Sequence, residues 1–566
     1  MLINFKLTLN LQQPKILEIL RTLSNHNLNA SDHFDSEKLL FDRSTPDHNA
    51  IGVIYAFPNT YTVGITSLGY QFVWADLATR PSVEVSRWFT DMHEPLPRSP
   101  ELIGFSFSWE LDYANILRAL ESLDIPINQS DRSEKHPLVF AGGVVPTANP
   151  EPFAEWFDFL LLGDGEELVG NMINRFQQVR SANRQEKLRN LSQIAGIYVP
   201  SLYEIKYAGV DGAIASIQPI DSDIPATITK QTHKGNTLSA STVVTEKAAW
   251  SNIYMVEVAR SCPEMCRFCL ASYLTLPFRT PSAIDTLIPA IERGLKVTNR
   301  LGLLGASITQ HPEFETLLDY IAQPQFDQVR LSLASVRTNT LSLKLCQILS
   351  SRDSRSVTIA VESGSERLRQ IINKKLHNDE ILQAAANAQA GGLSALKLYG
   401  MVGVPQELDT DIDQTIEMLM TVKKTAPKLR LSFGCSTFVP KSHTPWQWLG
   451  VSPNGDKKLK YLQKHLAPKG IDFRPESYKD SIIQALISRG DRRIQSVLIL
   501  AYQYADRGIP SDGMYKRAFK ELRGQLPPLE HYVYENWSTD RILPWQHLQG
   551  ALPLGTLIKH LDSSIS

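Results

Sequence analysis

The chain has 566 residues, of which 43% are hydrophobic and 21% charged; this is a folded globular composition too long for one core, so several domains are expected. A formal net charge of −1 gives no overall field to attract nucleic acid or an anionic membrane, although a local basic groove is compatible with it. No apolar run of about 18 residues is present, which argues against a membrane span, and five cysteines, three of them clustered, suit a reducing cytoplasm better than a disulfide framework.

Residues 1–49 read as an N-terminal extension and linker. Its start, MLINFKLTLNLQQPK, lacks the basic leader and long apolar stretch of a secretory signal. A short helix is expected at Ile16–Leu23 and a polar linker at Asn25–Ser36. Residues 50–200 carry apolar runs at Ile51–Phe57, Leu102–Phe107, Leu138–Ala141 and Phe157–Leu162, with amphipathic stretches between them. Buried strands alternating with helices predict a parallel sheet covered on both faces. Gly142-Gly143 and Gly163–Glu167 follow strand ends, where such sheets bind ligands. Residues 201–250 predict a β-hairpin with its turn at Asp211-Gly212, then a linker over Lys234–Thr245.

Residues 251–475 repeat a strand–helix pattern. Strands are expected at Val256–Ala259, Arg300–Leu304, Val329–Leu333, Val357–Val361, Ala395–Tyr399 and Leu429–Phe433. Six strands make a partial barrel, with site residues at the carboxyl ends. The first strand leads into RSCPEMCRFC, where Cys262, Cys266 and Cys269 fall within eight residues. Three thiolates can each bind one iron of a 4Fe-4S cube, leaving the fourth iron open. Structural zinc wants four closed ligands, and no further Cys or His follows before His311. Three ordinary reduced thiols are the remaining reading.

The C-x3-C-x-aromatic-C spacing, with Phe268 at the aromatic place, resembles the radical S-adenosylmethionine (SAM) superfamily. The resemblance implies a 4Fe-4S cluster on Cys262, Cys266 and Cys269, SAM as the molecule it cleaves, a 5′-deoxyadenosyl radical, and an electron donor such as flavodoxin or ferredoxin. It also implies SAM contacts at three strand ends. Gly305-Ala306-Ser307 stands where the family has a Gly-Gly-Glu-like turn, here without the glutamate. Glu362 and Ser363, in ESGS, would meet the ribose or amino group, unless Glu362 is simply paired with Arg367. Val402 and Gly403 would face the adenine.

The words PNTYTVGITSLGYQ, AGGVVPTANPEPFAEWFD and LLGDGEE resemble the Rossmann-like cobalamin-type domain that precedes many radical SAM cores. The D-x-H-x-x-G motif is absent, and His93 reads as a surface residue, so cobalamin binding is left open. Cys435 reads as a hydrogen-atom donor or a small core residue. Trp446 and Trp448 read as pocket walls or as interface packing. Residues 476–566 read as a helical C-terminal unit containing SRGDRR and ILPWQH, with His547 structural rather than catalytic.

The whole resembles a group that joins a cobalamin-type domain, a radical SAM core and this tail, many of whose members carry a further fused domain, which leaves open whether a separate partner supplies that part here. The expected fold is therefore α/β: a cobalamin-type domain, a partial (β/α)6 barrel and a helical C-terminal segment. The expected function is a radical SAM enzyme, open to methyl or methylthio transfer onto RNA, protein or a tetrapyrrole-like compound. A non-catalytic iron–sulfur sensor or scaffold and a zinc-binding interaction protein are the alternatives.

Overall fold

The computed structural model describes residues 34–565, so the helix expected at Ile16–Leu23 and most of the polar linker lie outside the described residues. The N-terminal sheet contains β1 (Ile51–Ala56), β2 (Val83–Trp88), β3 (Pro100–Ser106), β4 (Leu138–Gly142), β5 (Phe159–Leu161) and β6 (Ile197–Tyr198). Its order is β2-β1-β3-β4-β5-β6, parallel throughout except for β6. Helices α1 (Leu68–Ala78) and α2 (Tyr113–Ser122) make the β1–β2 and β3–β4 crossovers, and α3 (Gly165–Gln178) lies between β5 and β6. The strand order reverses at β1, which puts the ligand-binding crevice beyond the carboxyl ends of β1 and β3.

Strand β2 was not among the expected ones. Its VEVSRW sequence hides an inward Arg87, which is buried by ion pairs to Glu37 at 2.8 Å and Glu94 at 3.0 Å. The hairpin β7 (Tyr203–Tyr207) and β8 (Ile214–Pro219) is present. Its loop is wider than the expected Asp211-Gly212 turn, because Ala208 N donates to Ala213 O and Gly209 takes φ 95°.

The barrel strands are β9 (Ile253–Ala259), β10 (Arg300–Gly305), β11 (Arg330–Leu333), β12 (Ser356–Glu362), β13 (Ala395–Val402), β14 (Arg430–Thr437) and β15 (Asp472–Pro475). All six expected strands form, and β15, with only Phe473 buried against the helix-side core, adds a seventh. They make two parallel sheets, β9-β10-β11 and β12-β13-β14-β15, joined by a single bridge between Val336 and Ile359. No closed barrel results. The segment expected to be a free linker instead lies along β9: Ser241 N donates to Met255 O and Glu257 N to Ser239 O. Small polar side chains there leave the backbone free to pair and cover an edge.

Between the strands, α4 (Glu366–Ile372) follows β12 and α5 (Asp409–Thr425) follows β13. After β15 come α6 (Tyr478–Arg489), α7 (Ile494–Tyr504), α8 (Asp512–Glu521) and α9 (Leu554–Ile565). These C-terminal helices share one apolar core with the N-terminal sheet, while the barrel and its own helices enclose a second. The SRGDRR segment explains the docking. Arg492 pairs with the fully buried Glu151 at 3.0 Å, and Asn149 donates to Gly490 O at 2.8 Å. No described helix is long and apolar enough to cross a membrane.

Candidate active site

The carboxyl ends of the N-terminal strands face the carboxyl ends of β9 and β10 across a cavity of about 1600 Å³. Asn59 and Ser106 line one wall and Gly143 and Asp164 continue it; Ser261, Gly305 and Ala306 line the other. Gly143 sits at φ 119°, and a Cβ there would stand 2.6 Å from Phe107 O, so only glycine lets these two loops approach.

The cysteine loop leaves β9 at this wall. It turns through left-handed backbone at two non-glycine residues, Ser261 (φ 72°) and Met265 (φ 55°), a conformation that costs about 1–3 kcal/mol each and must be held by its surroundings. The supports are specific. Tyr273 Oη donates to Met265 O at 3.1 Å, and Asn373 Nδ2 to the same oxygen at 2.8 Å. Arg267 donates to His560 O at 2.8 Å on α9 and to Ile371 O at 2.6 Å at the end of α4, so one guanidinium ties the loop to two helix carboxyl ends.

The three thiols lie in one electrostatic neighbourhood, each pair close enough to shift at least one partner. Burial pushes the Cys266 thiol up to about 12, with the Lys374 ammonium opposing it. Burial also raises Cys262, while the backbone at Glu264 and the Ser307 and Ser272 hydroxyls pull the other way. Among the described residues no three Cys, His, Asp or Glu side chains close round a point that one ion could occupy. The chemistry of the donor set fits an iron–sulfur cube, since three soft thiols on one loop can give one sulfur to each of three irons.

The other expected contacts fall at the same end of the barrel. Gly305 and Ala306 line the cavity, and Ser307 Oγ donates to Gln310. Glu362 ends β12 at φ 65°, buried and paired with Lys374 at 2.9 Å. Arg367, its expected rival partner, instead pairs with Asp411. Ser363 is buried, and its carbonyl accepts from Arg369 at 2.7 Å. Val402 is buried at the end of β13. Gly403 follows at φ 72°, its N–H donating to Glu407 at 2.7 Å. Phe268 packs half-buried against the N-terminal core.

Cys435 lies within β14, on the same face as Leu431 and Phe433 in the helix-side core. It therefore points away from the inner face, and burial raises its pKa well above the usual thiol value. Trp446 and Trp448 are fully buried interface packing, with Trp446 Nε1 donating to Ser564 Oγ at 3.1 Å. His93 is exposed, its Nδ1 2.8 Å from Glu94 O. His547 is buried against Tyr198 and Tyr203, which holds its pKa down to about 4.

Sequence reasoning missed the charges that set this wall. Arg260, two residues before Cys262, pairs with Asp164 at 3.1 Å, Glu166 at 2.8 Å and Glu257 at 2.7 Å. The GDGEE loop thus binds the root of the cysteine loop directly. Asp112 lines the cavity and accepts from Asn59 at 3.0 Å; burial raises its pKa to about 7.

Residues 71–200 match the family model of radical SAM proteins, N-terminal, and residues 256–419 that of the radical SAM superfamily. An uncharacterized protein of Methanocaldococcus jannaschii is 28% identical over 452 residues, covering 79% of this chain and 90% of that protein. Among solved structures, the radical SAM methyltransferase TsrM from Kitasatospora setae, with cobalamin and a 4Fe-4S cluster bound, aligns with a TM-score of 0.47 at 11% identity over 73% of this chain and 75% of its own. The cobalamin-dependent SAM radical enzyme OxsB, with aqua-cobalamin and SAM bound, aligns with a TM-score of 0.47 at 11% identity over 84% of this chain and 72% of its own. With a cysteine loop of this spacing at the head of its barrel and both family models matched, the chain belongs to the radical SAM superfamily.

Proposed function

We propose that the chain is a radical SAM enzyme, with Cys262, Cys266 and Cys269 holding a 4Fe-4S cluster and the strand-end cavity holding SAM beside a second, bulky ligand. When bound, the cluster supplies the electron that cleaves SAM to methionine and a 5′-deoxyadenosyl radical. The carrying observation is that one cavity is walled both by Ser261, Gly305 and Ala306 at the cysteine loop and by the N-terminal strand ends. Its volume exceeds what SAM needs, and it opens at the point where the strand order reverses, which favours cobalamin as the second occupant.

The protein's own residues prepare this site. Lys374 places an ammonium near Cys266 and favours its thiolate. Arg267 and α9 cover the loop and keep water from it. Gly305 and Ala306 bring backbone, rather than a side chain, to the cavity wall, while Ser363, Val402 and Gly403 close the neighbouring strand ends. Glu362 holds a left-handed conformation and a buried ion pair, a combination that marks functional strand ends. A methyl or methylthio transfer is the reaction class this arrangement suits.

Anaerobic incubation with dithionite and SAM tests the reading. 5′-Deoxyadenosine release by the native chain, and none by Cys266→Ala, supports it. A reconstituted cluster that never cleaves SAM supports the sensor instead. Loss of hydroxocobalamin on desalting removes the cobalamin half.

A further inference from the structure

The inner face of the barrel carries basic side chains that the proposed radical chemistry leaves unused. Side chains alternate across a strand. Leu301, Leu331, Leu396, Leu431 and Phe473 are buried beneath the barrel helices. The opposite parity therefore sets Arg300, Arg330, Lys397, Arg430 and Arg474 on the inner face, with Arg300, Arg330 and Arg430 at the first residue of their strands and Lys397 and Arg474 two residues in. Register pairs Arg300 with Arg330, Lys397 with Ser432, and Arg474 with Gly434.

These charges crowd one another. Burial lowers the Lys397 pKa, and the Arg474 and Arg430 charges lower it further; burial and Arg330 act likewise on Arg300. The acids at hand serve the rim. Asp472 pairs with Arg474 at 2.6 Å, and Asp353 stands 3.9 Å from Arg330. Glu476 acts on Tyr399. The amino end of such a barrel ordinarily contributes stability, and a half-buried lysine between two arginines works against it. A bound anion would remove that repulsion.

We propose that this inner face binds the phosphates of a single-stranded nucleic acid, RNA in particular. Arginine predominates over lysine, as phosphate recognition favours. Tyr399 sits on the same face, one inward position beyond Lys397 and beside Arg474, and offers a ring for a base to stack on. Lys397 is half-buried, which favours a thin strand over the surface of a folded acidic protein. From Lys397 to Val402 is about 17 Å along β13, so a bound strand runs towards the proposed SAM site. RNA as the substrate rests on the radical chemistry proposed above; RNA binding needs neither cluster nor SAM.

The test is fluorescence anisotropy of the full chain with a labelled, unstructured 20-nucleotide RNA, between about 50 and 200 mM salt. Lys397→Ala/Arg430→Ala/Arg474→Ala is compared with Lys206→Ala/Lys460→Ala/Lys516→Ala, three exposed lysines elsewhere. Removing three phosphate contacts lowers the log–log salt slope by about 2, so the native chain and the control lose about 20-fold more affinity over that range than the inner-face variant. Should the triple variant melt early, Arg430→Ala/Arg474→Ala, at exposed sites, reads a slope change of about 1.4. No RNA binding by the native chain at the lowest salt, or equal slopes for inner-face variant and control, overturns the proposal. So does capture of an acidic flavodoxin through these residues without RNA binding.

Discussion

Lys374 offers the sharpest test of how the site is held. Its ammonium sits 2.9 Å from the Glu362 carboxylate, with side-chain exposures of 13% and 10%, and near the Cys266 thiol. Lys374→Met leaves a buried carboxylate without its cation, which costs about 3–5 kcal/mol. For a unit the size of the barrel this lowers Tm by about 10 °C. Lys374→Met/Glu362→Gln removes both charges and returns most of that loss, because the single variant's penalty lies chiefly in the orphaned charge rather than in the pair. Thermal melts of the apo chain and its three variants complete a double-mutant cycle, and iron bound per chain after reconstitution reports on Cys266. The double variant recovers Tm but not iron, since no ammonium remains to favour the thiolate. A single variant that melts like the native chain, or a double variant that melts no higher than Lys374→Met, would refute this reasoning.

Asp112 gives a pH signature. Burial raises its pKa from 3.8 to about 7, so its contribution to stability is fully present below the unfolded value and is lost as pH rises through about 7. With a shift of about three units the change is on the order of 4 kcal/mol. The native chain should therefore lose stability relative to Asp112→Asn from about pH 4 to 7, with about 2 kcal/mol of it falling above pH 5.5, and level off above pH 7; a Tm difference that stays flat across this range contradicts this. Arg260→Ala removes charge-assisted bonds to Asp164, Glu166 and Glu257, each worth about 1.5–3 kcal/mol. The expected result is a lower Tm and a changed electron paramagnetic resonance spectrum of the reduced cluster, partly restored by Arg260→Lys. An unchanged spectrum in a chain that still melts early would make Arg260 structural only.

The parts of this molecule legible in sequence are those whose signal is local. The barrel strands announce themselves because apolar residues alternate with polar ones, and the cysteines because they share one loop. What escaped is what depends on distant partners. Strand β2 contains Arg87, an unpromising core residue until Glu37 and Glu94 surround it. The polar run before β9 reads as linker because its stabilisation is backbone pairing, to which side chains are nearly irrelevant. Cys435 looked near the barrel mouth, but a strand's parity, not its end, decides which way a thiol points. Lys374 and Arg260 are single charges in sequence, and only tertiary packing gives each the carboxylates that define its role. Overall net charge likewise concealed the inner-face basic cluster, which strand register assembles from five separate strands.

Anaerobic reconstitution of the full chain, with iron and acid-labile sulfide counted and SAM cleavage followed, tests the central assignment most directly. The expected result is about four irons and four sulfides per chain, 5′-deoxyadenosine released on reduction, and loss of both when Cys262, Cys266 or Cys269 is replaced by alanine. Stoichiometric zinc with no sulfide, or a full cluster that leaves SAM intact under reduction, would contradict it.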